Sequence, residues 1–349
     1  AESIVIAAQA ADGSADRFIT FAFKNAVHAL ASEWKPALLA GKLDFAKPAH
    51  LLSVVREGGG KEVASVVRQK LADSALSTAR KLVLAELLAQ IGNSADAALA
   101  LELASIHPTV LHALVNAARE RNLQAPANAA ELLNVPLKTT ATRAGAVQLI
   151  GAWKLNAHAE TIRALATGQT EPLAVRMAAA VALGQLNIPQ AVETLASLVT
   201  VNGAADLRVA ALGSLAKHDV ARAAQLTARL SGQVKPDELG PVLAALLQRN
   251  AGADAMAGAL GQAEVSADTA KLILRWLNAA GRVEPKLNLV LNKLIGVQSV
   301  APVYSADFVR ALAKEALAKG DAVSGKKVFQ LPLASCTACH AVDGVRGAV

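Results

Sequence analysis

From about Ser14 to Gly296 the chain alternates stretches of helical apolar periodicity with short breaks, and runs of β-branched or aromatic residues in alternating polarity are scarce. Three stretches align: Ala141 to Ile150, Ala174 to Leu183 and Asp206 to Leu215. Each carries an arginine at one phase, Arg143, Arg176 and Arg208, and 176 − 143 gives 33 while 208 − 176 gives 32. Looser copies begin near Lys81 and Lys271, about two periods to either side. A second helix follows each of the three, as in Ile188 to Val199. A period in the low thirties built from two antiparallel helices predicts an all-α chain, an α-solenoid in which neighbouring hairpins stack to bury faces that none could bury alone. Small residues such as Ala178, Ala179, Ala210 and Ala211 suit close helix approach.

The run Val175-Arg176-Met177-Ala178-Ala179 resembles HEAT repeats, and the fold this implies is HEAT/armadillo-like. The resemblance implies that Arg143, Arg176 and Arg208 bond within or between repeats rather than to a ligand. The opening stretch is more aromatic, and Phe18, Phe21 and Trp34 read as core residues of a cap. The tripeptide Gly58-Gly59-Gly60 before Lys61 reads as a turn, because it lacks both the preceding strand and the following Ser or Thr of a phosphate loop.

Composition fits closely packed helices: 53% of the chain is hydrophobic and only 3% aromatic. The mean hydropathy of +0.36 reflects alanine-rich buried faces, since no apolar run approaches the ~18 residues of a membrane span. A formal net charge of +7 suggests a docking face for an acidic redox partner. Nucleic acid is not expected as a partner, because Lys and Arg are scattered rather than gathered in a stripe.

The chain's two cysteines stand in Cys336-Thr337-Ala338-Cys339-His340, the C-x-x-C-H pattern of c-type haem attachment. Two thiols at this spacing add to the two vinyl groups of one haem, and the adjacent histidine becomes the axial ligand of the iron. Chance placement gives this arrangement on the order of once in ten thousand chains. A zinc site would need about four ligands, and no second pair completes one. A thioredoxin-like pair would need a βαβ context, whereas these surroundings look helical. Met177 and Met256 read as core filler. His28, His50, His107, His112, His158 and His218 read as surface or capping residues, and no nucleophile–His–acid constellation stands out.

Just upstream, Asp321 to Gln330 reads as a short helix with Gly325 and Phe329 at i, i+4. Gly325, Phe329, Cys336, Cys339 and His340 together resemble the first part of class I c-type cytochromes. The resemblance covers about the last thirty residues. It implies haem c as cofactor, with Cys336 and Cys339 as thioether anchors and His340 as the axial ligand to iron. The remainder of such a domain, with its usual methionine ligand, does not follow His340 here. The expectation is therefore an incomplete cytochrome segment on a longer protein.

Three parts are expected: a HEAT-like solenoid over 1–298, a linker and connecting helix over 299–319, and the start of a cytochrome c domain over 320–349. This order, with Asp16-Arg17-Phe18 and Trp34-Lys35-Pro36-Ala37-Leu38 at its opening, resembles the multidomain haem-binding proteins of the planctomycete–verrucomicrobial group. That resemblance implies an upstream dehydrogenase-like domain or a redox partner protein, and electron transfer outside the cytoplasm, in the periplasm. The alternative expectation is an interaction scaffold with no redox role.

Overall fold

The computed structural model describes residues 1–330 apart from 46, 60, 73–75, 105–106, 187, 201–202 and 297–304. All regular structure among the described residues is helical. The chain divides into two compact units, Ala1–Gly296 and Val297–Val349. The helix of the expected linker region thus belongs to the same unit as the helix of the expected cytochrome segment.

The first unit opens with α1 (Glu2–Ala11), α2 (Arg17–Ala29), α3 (Ala31–Leu39), α4 (Pro48–Gly58) and α5 (Lys61–Leu71). It continues through α6 (Thr78–Ile91), α7 (Ser94–Ala104), α8 (Pro108–Glu120), α9 (Ala129–Leu132) and α10 (Asn134–Lys138). Then come α11 (Thr140–Ala152), α12 (Ala159–Thr167), α13 (Leu173–Leu183), α14 (Ala191–Leu198), α15 (Ala205–His218) and α16 (Val220–Ser231). The unit closes with α17 (Pro236–Leu247), α18 (Gly252–Leu260), α19 (Ala267–Ala279) and α20 (Pro285–Ile295). The second unit holds α21 (Ala306–Lys319) and α22 (Ala322–Gln330).

Local chemistry sets these boundaries. Asp219, Ser266 and Ser305 accept hydrogen bonds from the backbone N–H of Arg222, Thr269 and Phe308, capping α16, α19 and α21. Pro48, Pro108, Pro236 and Pro285 start α4, α8, α17 and α20, where a missing N–H is harmless. Gly296 ends α20 at φ 78°, a conformation that favours glycine.

The helices α4, α6, α8, α11, α13, α15, α17 and α19 form one layer in which each packs on the next. Behind it α12 packs on α14, α16 on α18 and α18 on α20. Shared apolar faces explain the order. Leu149, Ile150, Leu183, Leu212, Leu215 and Leu243 are fully buried in one continuous core, each worth about 1.5–3 kcal/mol relative to exposure. A second core, around Ile4, Val27, Trp34 and Val54, gathers the N-terminal helices. The two meet on α6, whose Leu84, Leu87 and Leu88 join the N-terminal core while Ala85 and Ala89 join the larger one. The buried residues of α6 thus serve two cores at once.

The aligned stretches coincide with α11, α13 and α15. The second helix of the middle pair starts at Ala191 rather than Ile188, because Pro189 and Gln190 lie in the turn before it. Trp34 is fully buried and donates its indole N–H to the Val27 carbonyl at 2.8 Å. Phe18 and Phe21 are not core residues: they are 67% and 64% exposed. The period of α2 explains the difference. Val27 and Phe23 face inward together, and at 100° per residue Phe18 and Phe21 fall on the far side. The Arg17 guanidinium sits 4.8 Å above the Phe18 ring. Gly58 ends α4 where a Cβ would lie 2.4 Å from Val27, so this end of α4 is pressed against the N-terminal core, while Gly60 of the expected turn lies outside the described residues.

Asp12 tethers α1 to α4. Its carboxylate accepts from Lys47 Nζ at 2.7 Å and lies 3.1 Å from His50 Nε2. The Lys47 hydrogen bond, then the close approach of the His50 ring, holds its pKa below the usual carboxylate value. A carboxyl with a lowered folded-state pKa stabilises the fold above its unfolded value of about 3.9, and that contribution disappears as pH falls through the lowered value. Asp12→Asn is expected to narrow the stability difference between neutral pH and about pH 3, measured by urea melts across that range. A difference identical to that of the parent protein refutes the tether.

Candidate functional site

The candidate haem residues Cys336, Cys339 and His340 lie outside the described residues, and the structure describes the chain leading to them. Asp321 caps α22, its Oδ1 accepting from the N–H groups of Val323 and Ser324 at 2.9 and 3.3 Å and its Oδ2 from the Ser324 hydroxyl at 2.7 Å. These bonds hold its carboxyl below the ordinary value, the Ser324 hydroxyl contributing most. Gly325 and Phe329 stand one turn apart on α22, and a Cβ on Gly325 would meet nothing within 4 Å. Neither α21 nor α22 buries a residue: Val309, Leu312, Leu317, Val323 and Val328 all remain exposed.

The repeated arginines are joints between helices. Arg208 is 2% exposed and donates Nε to the Thr200 carbonyl at 2.9 Å, a terminal nitrogen to the Gly203 carbonyl at 2.9 Å and the other to Glu238 Oε2 at 2.8 Å. Arg143 repeats the scheme with the carbonyls of Leu137 and Lys138 and with Glu171. Arg176 keeps one element of it, a 3.3 Å bond from Nε to the Ala166 carbonyl. Each guanidinium thus donates to carbonyls where the preceding segment ends or turns into the next helix.

A second ladder is also written in the sequence. Arg121, Trp153, Gln185, Lys217 and Arg249 follow at a constant interval, 153 − 121, 185 − 153, 217 − 185 and 249 − 217 all giving 32. Arg282 stands one residue out of step. These positions mark the ends of α8, α11, α13, α15, α17 and α19. Arg121 donates to the Ala89 and Gly92 carbonyls at 3.1 and 3.2 Å, Trp153 to Leu123 at 2.8 Å and Arg282 to Leu247 at 3.0 Å. Burial pushes the Arg121 pKa down. The mixture of residue types hides this ladder from a search for one repeated residue.

A groove of about 540 Å3 lies on α8 and the end of α6, lined by Arg56, Gln90, His112, Asn116, Glu120 and Arg121. Arg56 Nε donates to Gln90 Oε1 at 3.2 Å across it.

The other histidines divide. His107 accepts from the Thr109 N–H at the start of α8, and His28 is exposed beside Glu57. His50 and His158 are buried rather than surface groups, His158 Nε2 lying 2.9 Å from the Ala130 carbonyl. Met256 is fully buried and Met177 packs against the same core. No group of three or more His, Cys, Asp or Glu side chains is placed to hold a metal among the described residues. No described helix is long and apolar enough to cross a membrane. No protein-family model, curated protein or solved structure matches the chain.

Proposed function

We propose that the first unit is a HEAT/armadillo-like α-solenoid that carries the opening segment of a class I c-type cytochrome, and that the protein transfers electrons outside the cytoplasm. The observation that carries the redox reading is Cys336-Thr337-Ala338-Cys339-His340. Two features support it from the described residues. The capped helix α22 offers Gly325 as an open place for another helix to cross, with Phe329 one turn on. The exposed apolar side chains of α21 and α22 are suited to a core that a haem would help to form. When bound, haem c supplies one-electron chemistry. Cys336 and Cys339 would hold it by thioethers and His340 would supply a nitrogen ligand to its iron. The solenoid reading rests on helices that pack on their next-but-one neighbours and on the arginine joints at repeat spacing. Its part is to hold partners: an upstream dehydrogenase-like domain or a separate redox protein, in the periplasm. A second reading, an interaction scaffold without a redox role, draws on the same helical array.

Production of the chain in cells with a haem-attachment system tests the first reading. Haem is expected to stay with the polypeptide through a denaturing gel, and Cys336→Ser/Cys339→Ser is expected to abolish it. His340→Ala is expected to keep the thioethers while altering the Soret band. Covalent haem retained by the double serine variant, or none on the parent chain, refutes the redox reading and leaves the scaffold.

A further inference from the structure

The N-terminal core has a gap in its packing. Between α3 and α4 the chain alternates: Leu43 and Phe45 turn inward and are buried, while Asp44 between them stays exposed. Leu38 of α3 and Leu84 of α6 are buried in the same core. These four side chains line a cavity of about 100 Å3, with Val83 of α6 beside them. Three charged side chains line it too, all of them exposed: Asp44, Lys70 at the end of α5 and Arg80 in the first turn of α6. Exposed residues line a cavity only where it opens, so these three mark its mouth.

The mouth is net positive. Lys70 and Arg80 make no ion pair or side-chain hydrogen bond among the described residues. Asp44 supplies the opposing charge, and its Oδ1 also accepts the Phe45 N–H at 3.0 Å. Two cations against one carboxylate leave a single positive charge, the complement of a monoanion. The start of α6 adds to it, since a helix N-terminus carries partial positive charge. The interior sets the other half of the ligand. Apart from the three groups at the mouth, every described lining residue is apolar, so only a hydrocarbon chain gains by entering. An apolar cavity of about 150 Å3 holds the six carbons of a benzene ring, so this one of about 100 Å3 takes about four. A multiply charged anion would leave the apolar interior unfilled.

We propose that this pocket binds a short aliphatic monocarboxylate of about six carbons, its chain against Leu43, Phe45 and Leu84 and its carboxylate between Lys70 and Arg80. The site lies wholly within the first unit and is independent of haem. Its affinity has two separable parts. Burial of the chain contributes in proportion to the apolar area removed from water. Charge pairing at an exposed mouth contributes modestly and weakens with salt.

Titration of the full chain with sodium hexanoate, followed by ligand-observed NMR, tests this. 1-Hexanol keeps the chain without the charge, acetate keeps the charge without the chain, and hexylammonium reverses the charge. Hexanoate is expected to bind saturably, and each of the other three at least about fivefold more weakly. Lys70→Gln/Arg80→Gln is expected to bring hexanoate to within about twofold of hexanol while leaving hexanol unchanged. Lys24→Gln/Lys271→Gln removes the same charge from cations paired with Glu57 and Asp268, and is expected to change hexanoate affinity less than about twofold. Val83→Phe is expected to fill the cavity and abolish binding of hexanoate and hexanol alike. If it lowers the melting temperature, Val83→Leu is read in its place, with an expected loss of at least about threefold for hexanoate. Absence of saturable hexanoate binding, equal affinity for hexanoate and either hexanol or acetate, equal weakening by the two charge-removing variants, or hexanoate affinity unchanged at Val83 overturns the proposal.

Discussion

Arg208→Ala is expected to destabilise the first unit by about 3 kcal/mol or more, well beyond the same change at Arg176. Removing one member of a buried, hydrogen-bonded charge pair leaves its partner and other acceptors without donors, a loss of about 3–5 kcal/mol. The lower end applies here because the Glu238 side chain is 24% exposed and water recovers part of its solvation. The Gly203 carbonyl loses its arginine donor at the same moment, and the Thr200 carbonyl keeps only the longer bond from the Gly203 N–H. Arg176 makes one longer bond to a carbonyl and no ion pair among the described residues, so its removal is expected to cost about 1 kcal/mol. Arg143 falls between. Arg208→Lys should recover less than half of the loss, since a single ammonium cannot span three acceptors in a plane. Urea midpoints for the four variants check the ranking. Indistinguishable midpoints for Arg208→Ala and Arg176→Ala remove the argument that the joint, rather than the helix position, is what stabilises.

That ranking separates what the sequence reveals from what it does not. The period and the helices were legible because α11, α13 and α15 carry the same residue types at the same phase. The inequality of their arginines was not, since it depends on where Glu238 and Glu171 fall one repeat later: 238 − 208 gives 30 and 171 − 143 gives 28. The exposure of Phe18 and Phe21 escaped because the aromatic residues of α2 fall on more than one of its sides, and composition cannot say which side meets Trp34. The 32-residue ladder escaped because Arg121 and Trp153 perform one task, donating to a carbonyl of the preceding helix or of the turn after it, with different chemistry. The C-x-x-C-H pattern is visible without a fold because it is a strictly local spacing.

Two glycines of the same layer are expected to respond in opposite directions to alanine. Gly151 lies in the last turn of α11, where a Cβ would stand 2.3 Å from Gln185 Oε1 and 2.8 Å from the Ala182 Cα. The second contact is backbone, so α11 and α13 must separate to admit a methyl group, at about 1–3 kcal/mol. The separation also moves Gln185, whose Oε1 is buried without a donor. Gly213 lies within α15, and a Cβ there would sit 3.9 Å from the Ala245 Cβ, an ordinary contact. Alanine at that position restricts the unfolded chain and favours the helix, stabilising by about 0.5–1 kcal/mol. The two positions share a helix layer and a substitution, so helix propensity predicts a gain at both and close packing predicts a loss at Gly151 alone. Gly184 extends the argument, since 184 − 151 gives 33 and a Cβ there would lie 2.6 Å from the Ser214 Cβ. Paired thermal and urea melts of Gly151→Ala, Gly184→Ala and Gly213→Ala decide the matter. Stabilisation by Gly151→Ala would mean that α11 and α13 are not in contact at this crossing, and the layer order through α8, α11, α13 and α15 would have to be redrawn.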